Sequence, residues 1–230
     1  MKKIAIASAV ALTSLYAGLA SANNGVYVTG EVGSSIINMH DTKADYSNGD
    51  FSNNTKFKNK RDGVFGGGLA VGYDFNDQYQ VPVRVEIAGH FRDNAKEDQS
   101  FSNGNGQSES IKNKVRMDTY MVNGYYDFYN STAFTPYLTA GLGLSHLVHK
   151  ASDDNGAGMS ANTNNFAWGV GAGVKYAVTS DISVDASYRY IDGGKVTNGG
   201  NKNWGSTTDS LNVSSKAASN DLMVGVSYKF

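Results

Sequence analysis

The C-terminal stretch DLMVGVSYKF sets Leu222, Val224, Val226, Tyr228 and Phe230 in strict alternation with Asp221, Met223, Gly225, Ser227 and Lys229. Successive side chains of an extended strand point to opposite faces, so a period of two predicts a strand that is apolar on one face up to its last residue. Chain ends are usually polar and frayed unless something ties them down. This end demands a pairing partner, and seven earlier segments carry the same pattern.

In GVYVTGEVGSSI, Val26, Val28, Gly30, Val32 and Ile36 alternate with Thr29, Glu31, Gly33 and Ser35. VFGGGLAVGYDF sets Phe65, Leu69, Val71, Tyr73 and Phe75 against Gly66, Gly68, Ala70, Gly72 and Asp74. VPVRVEIAGHFR sets Val81, Val83, Val85, Ile87 and Phe91 against Arg84, Glu86, Ala88, His90 and Arg92. In VRMDTYMVNGYYDF, Tyr120, Val122, Gly124, Tyr126 and Phe128 share a face opposite Asn123 and Asp127. That phase carries Arg116 and Asp118 onto the apolar face, so either they stand above a bilayer, the favoured reading, or a bulge shifts the register. FTPYLTAGLGLSHL, FAWGVGAGVKYAV and ISVDASYRYID complete a set of eight strands, with Tyr137, Lys175, Asp185 and Arg189 on their polar faces.

Connections alternate in length. Asn76-Asp77, Asn130-Ser131-Thr132 and Thr179-Ser180-Asp181 read as tight turns by their residue types. Tracts such as NGDFSNNTKFKNK and DQSFSNGNGQSES read as long polar loops at the other end. The pattern predicts an all-β fold, an eight-stranded antiparallel transmembrane β-barrel with short periplasmic turns and four long extracellular loops. The even strand count puts both termini at the periplasmic end. Tyr73, Phe75, Tyr126, Phe128, Tyr176, Tyr228 and Phe230 fall near the short turns, where an interfacial aromatic girdle sits. A soluble secreted sandwich also alternates, but its polar face meets water, whereas glycine fills much of the polar face here.

Composition narrows the partners. MKK, the apolar residues 4–19 and Ala20-Ser21-Ala22 have the layout of a secretory signal peptide cut after Ala22, which leaves 23–230 as the barrel domain. Losing Lys2 and Lys3 takes the formal net charge from −1 to about −3, which disfavours nucleic acid. There is no cysteine, so stability rests on burial and backbone pairing. The negative mean hydropathy is no argument for solubility, because only alternate residues of a barrel strand meet lipid.

Eight strands enclose an interior just wide enough for side chains to fill. The inward set contains Glu31, Arg84, Glu86, Lys175, Asp185, Arg189 and Lys229, of both signs, so pairing across the lumen is expected. A salt-bridged plug is favoured over an ion path. Catalysis is not expected: Ser145 and His146 are strand neighbours on opposite faces, Ser145 and His149 are too far apart along a strand, and His90 stands alone in the lumen. The four histidines are scattered, which predicts no metal site and no cofactor. In the first loop, Lys56, Lys58, Lys60 and Arg61 beside Phe51 and Phe57 read either as a contact for anionic glycans or lipopolysaccharide phosphate or as a solvated strand top.

Two resemblances add to this. The ending at Leu222, Val224, Val226, Tyr228 and Phe230 resembles the C-terminal assembly signal of bacterial outer-membrane proteins, which implies recognition by the barrel-assembly machinery. NGYYDFYNSTAFTPYLTAGLGLSH, WGVGAGVKYAVTSDISVDASYRY and VGVSYKF together resemble the opacity-type family of small outer-membrane proteins, catalogued with porins, over essentially the whole mature barrel. The resemblance implies an integral protein of the bacterial outer membrane whose surface loops bind host cells, a host receptor or matrix proteins. A small porin-type channel and a structural envelope protein are the alternatives. Receptor-binding residues of that family lie in variable loops, so none transfers to a numbered position here.

Overall fold

A computed structural model describes the backbone of residues 25–48, 51–56, 60–102, 108–152, 158–204 and 207–230. Residues 1–22, read above as a signal peptide, residues Phe57 and Lys58, and the side chains within 42–60, 96–113, 149–161 and 196–215 lie outside the described residues. Ten strand segments follow in chain order: β1 (Val26–Asn48), β2 (Phe51–Lys56), β3 (Lys60–Asp74), β4 (Val83–Arg92), β5 (Ala95–Ser102), β6 (Ser108–Asp127), β7 (Phe134–Ser152), β8 (Gly158–Ala177), β9 (Ile182–Trp204) and β10 (Thr207–Lys229). One helical turn, α1 (Asn76–Tyr79), lies between β3 and β4.

All pairs are antiparallel, and β1 pairs with both β3 (Val26↔Tyr73) and β10 (Tyr27↔Lys229), which closes the sheet. β2 continues β3 beside the upper part of β1, and β5 continues β4 beside β6, so ten segments make eight walls. Closure is what a lipid-facing sheet requires, because each unpaired backbone group in hydrocarbon costs several kcal/mol. It also accounts for the C-terminus: β10 is tied to β1 throughout, and Phe230 N donates to Val26 O at 3.0 Å.

The fold is inside out relative to a soluble domain. Leu222 is 64 % exposed while its neighbour Asp221 is 1 % exposed. On β7 the outward apolar series runs from Phe134 to Leu144; at about 3.3 Å per residue and a tilt of about 40° it spans about 25 Å, the height of an outer-membrane barrel's apolar band. Edge-on aromatic pairs stand at the short-turn end: Tyr73 with Phe75, Tyr126 with Phe128, and Tyr228 with Phe230, their centroids 4.8–5.1 Å apart.

Of the three expected tight turns, two form as read. Asn130 Oδ1 accepts from Thr132 N at 2.8 Å while its amide donates to Phe134 O at 2.8 Å, and Thr179 Oγ1 accepts from Ile182 N at 2.9 Å. The one around Asn76-Asp77 is different: α1 is followed by Gln80 in the left-handed region (φ 54°), and Val81 and Pro82 stay outside the ladder. Pro82 has no N–H to give to a neighbour, so the strand begins after it.

The upper part departs further from the sequence reading. Much of the tracts assigned to long loops is strand, since β1 remains paired with β10 up to Asn48↔Asp209 and β9 with β10 up to Trp204↔Thr207. Irregularities mark the level where barrel becomes extension: Asp41 has φ 54°, Gly194 has φ 79°, and β10 shifts register between Lys216 and Ala218. Bulges concentrate at barrel rims because they let strands bend away from a cylinder.

The phase of β6 is also settled. Its register with β7 is continuous from Lys112↔Ser152 to Asp127↔Tyr137, so no bulge lies in that pairing. The break is on the other side: His90↔Thr119 and Ala95↔Val115 differ by one register step, where β4 gives way to β5. Arg116 is accordingly part-exposed on the outer wall, while Asp118 is covered at the break and accepts from Arg92 N at 3.3 Å.

Candidate functional site

The lumen is packed in layers. Lowest, Arg84 of β4 makes a two-pronged contact with Asp127 of β6, 2.7 Å from Nε to Oδ2 and 2.9 Å from Nη2 to Oδ1. Its guanidinium carbon lies 4.4 Å from the ring centre of Tyr125, 5.2 Å from Tyr137 and 5.7 Å from Tyr27. A planar, always charged fork suits both the carboxylate and the aromatic faces. Lys175 Nζ stands 3.8 Å from the same Asp127.

In the next layer Glu86 accepts from Tyr125 Oη at 2.8 Å and Tyr27 Oη at 3.2 Å, and Asp185 accepts from Tyr137 Oη at 2.6 Å. Glu31 is ion-paired with Arg189, and His90 Nε2 lies 2.6 Å from Glu31 Oε1 and 2.8 Å from Arg189 Nη1. Glycines make room for the rings: a methyl on Gly173 would run into Tyr137, and one on Gly72 into Tyr27. Such close approach is a common reason for glycine in a strand interior.

Higher still, Arg92 of β4 reaches Asp221 of β10 at 2.5 Å, Ser35 of β1 at 3.2 Å, and the Met117 carbonyl and Thr119 hydroxyl of β6 at 3.0 and 3.3 Å. One side chain thereby ties four walls together. Beside it an apolar cluster of Ile37, Val64, Met117, Met121, Leu147 and Ile191 fills the section. The void between the charged layers, bounded by Glu31, Arg84, Glu86, Tyr125, Asp185 and Arg189, is about 20 Å³. That is room for about one water molecule.

Six of the seven inward charges named from sequence lie in these layers; Lys229 sits at the periplasmic mouth, 2.6 Å from Asp77 of α1. The seven-residue set leaves out the carboxylates and bases that complete the pairs, Asp127, His90, Arg92 and Asp221, although the alternation puts all four on the polar face. The same parity marks Tyr27 and Tyr125. Ser145 points inward and donates to Gly193 O at 2.5 Å, whereas His146 is on the outer wall with Nδ1 2.6 Å from Asn164 Oδ1, so the two are not partners.

Above the barrel the wall divides. Pairing of β3 with β4 ends at Gly66↔Arg92, and pairing of β8 with β9 ends at Trp168↔Asp192. Among the described residues, two four-stranded sheets rise from there, β2-β1-β10-β9 and β5-β6-β7-β8. Of the first-loop residues, Phe51 and Lys56 bound β2 in the first sheet, Lys60 opens β3 beside β1 (Met39↔Lys60), and Arg61 next to it is exposed.

A family model described as outer membrane protein beta-barrel domain matches residues 5–230. The chain belongs to this outer-membrane β-barrel family. It is an integral outer-membrane protein. It is 44 % identical to the outer membrane protein PagN of Salmonella typhimurium over 241 residues that cover 100 % of both chains. A Rickettsia canadensis protein whose name marks it as a proposed adhesin is 23 % identical over 204 residues, 85 % of each chain. Among solved structures, Neisserial surface protein A superimposes with a TM-score of 0.51 at 22 % identity, covering 90 % of this chain and 98 % of that one. A major outer membrane protein of Thermus thermophilus gives 0.55 at 13 % identity, covering 90 % and 100 %. These two show the shared barrel fold.

Proposed function

We propose that this outer-membrane β-barrel is an opacity-like surface adhesin that binds host cells or matrix proteins through the two sheets above its rim. The observation that carries this is the contrast between a lumen crossed by packed ion pairs, whose charged layers enclose a void of only about 20 Å³, and walls that continue beyond the apolar band as paired strands. A rigid barrel bearing such extensions is a scaffold for surface contacts, and binding residues concentrate on segments so held. The full-length relation to PagN and the Rickettsia relative support the same reading.

In this reading the barrel is not catalytic and takes no cofactor. Residues 1–22 direct export, and the alternating ending at Leu222, Val224, Val226, Tyr228 and Phe230 presents the strand to the assembly machinery. The lumen set of Glu31, Arg84, Glu86, Lys175, Asp185 and Arg189 is a static brace. Phe51, Lys56, Phe57, Lys58, Lys60 and Arg61, the basic and aromatic residues of the first-loop sequence, are the contact for anionic glycans in this reading. The test compares adhesion to epithelial cells and immobilised matrix proteins by cells displaying the native protein and by cells displaying a form whose four upper hairpins are cut to tight turns. Loss of adhesion with a folded barrel is expected; equal adhesion by both forms would overturn the proposal.

A further inference from the structure

The outer wall of β6–β8 changes character within one register step. Tyr120, Leu144 and Phe166 form one row across the three strands; the row above is Asp118, His146 and Asn164, and the next is Arg116, Val148 and Asn162. The lower row is open to the membrane, its side chains 51, 57 and 62 % exposed, and Phe91 packs edge-on against Tyr120 at 5.9 Å. The upper rows carry cations. Arg116 has Nε 3.1 Å from Asp118, yet its side chain is 43 % exposed. Asp118 itself is buried and committed to the Arg92 amide, so it anchors the guanidinium from beneath. Lys114, one step higher, is exposed, and its register partner on β7 is Lys150. His146 is part-exposed and uses Nδ1, not Nε2, toward Asn164.

The opposite wall at this height is different. Lys216 is held by Asp41 at 3.1 Å, and Tyr188 donates to Asn220 at 2.5 Å. Lys195, the register partner of Lys216, is exposed there too, but so is the carboxylate of Asp41, 59 % exposed beside them, whereas Asp118 is covered beneath Arg116.

We propose that the outer wall of β6–β8 is a seat for the phosphorylated glycolipid of the outer leaflet, lipopolysaccharide, with acyl chains against Tyr120, Leu144 and Phe166 and phosphates on Lys114, Arg116 and His146. At about 3.3 Å per residue, His146 stands about 7 Å, Arg116 about 13 Å and Lys114 about 20 Å along the strand above the apolar row. That places positive charge where an amphiphile's headgroup begins, and the guanidinium fork is the side chain best matched to phosphate oxygens. A free phosphate makes no use of the apolar row, and a zwitterionic phospholipid brings no net charge to meet the cations. The site depends on the outer-membrane placement and is independent of the adhesin reading.

The full-length protein, extracted in mild detergent and exchanged into nanodiscs, is assayed by native mass spectrometry for retention of bis-phosphorylated lipid A against dephosphorylated lipid A with the same acyl chains. The native protein is expected to retain the phosphorylated form at least tenfold better. Lys114→Glu/Arg116→Glu and, independently, Lys114→Glu/His146→Gln should reduce it to the dephosphorylated level, the second variant leaving the Arg116–Asp118 contact intact in case the first does not fold. Lys195→Glu, on β9, should change nothing. Equal retention of the two lipids, unchanged retention in a folded variant, or displacement of bound lipid by millimolar inorganic phosphate would each overturn the proposal.

Discussion

The lumen and the rim are built from the same eight walls but treat polar groups in opposite ways. Inside, Arg84 and Arg92 are each held by groups from other walls, with Asp127 and Asp221 less than 2 % exposed. At the rim the walls part into two sheets, and a pair such as Lys216–Asp41 stands in solvent with side chains 49 and 59 % exposed. The same chemical pair therefore has two different energetic meanings. Water screens the rim pair and competes for its hydrogen bonds, while the lumen pair has been removed from water and depends on its partner. Stability should be concentrated below the split and function free to vary above it.

The sharpest way to break that contrast is to orphan a lumen charge. Asp221→Leu leaves the Arg92 guanidinium buried without its carboxylate, and the barrel should lose about 3–5 kcal/mol in urea unfolding in detergent. A loss below about 1 kcal/mol would mean that water reaches Arg92 and that the lumen is not a closed interior. Met117→Ala probes the apolar layer beside it. Met117 is fully buried, so the cavity should cost about 2–5 kcal/mol, and planar-bilayer recordings should show no conductance of large-porin size in the native protein.

Glycine positions sharpen the inside–outside contrast with a single methyl group. At Gly173 a Cβ would stand 2.7 Å from the Ala186 carbonyl and collide with the Cζ and hydroxyl of Tyr137, so Gly173→Ala should cost about 1–3 kcal/mol. At Gly124, on the outer face, the nearest atom is the Ala140 carbonyl at 3.9 Å, and Gly124→Ala should stay within about 0.5 kcal/mol of the native barrel. Equal effects at the two positions would show that the inward rings move aside.

Alternation made the fold legible because a period of two assigns each residue to lipid or lumen without knowledge of its neighbours. It failed to fix Asp118, whose parity is outward but whose burial comes from a break in the next strand, between His90 and Ala95. Cross-lumen partners were equally out of reach. Arg92 and Asp221 are 129 positions apart, and only the stagger of the closed sheet brings them together. The upper strands were missed for a simpler reason: Asn, Ser and Gly suit turns and solvated strands alike, so composition does not distinguish a loop from a tall hairpin.

The smallest effect expected of any ion pair lies at the rim. Lys216→Ala removes a 3.1 Å ion pair with Asp41, at the point where β1 and β10 shift register. Both side chains are about half exposed, so the pair should contribute less than about 1 kcal/mol, and less again in high salt. Asp41 is in the left-handed region with φ 54°, which an aspartate tolerates through its short polar side chain. If Lys216→Ala nevertheless cost as much as Asp221→Leu, the bulge would be held by this pair rather than by the ladder around it. The rim would then be a brace like the lumen, and the split into two sheets would be a mechanically fixed feature on which both adhesion and folding depend. Thermal unfolding of the two variants in the same detergent, at low and at high salt, separates these cases, because only the exposed pair should lose its contribution to screening.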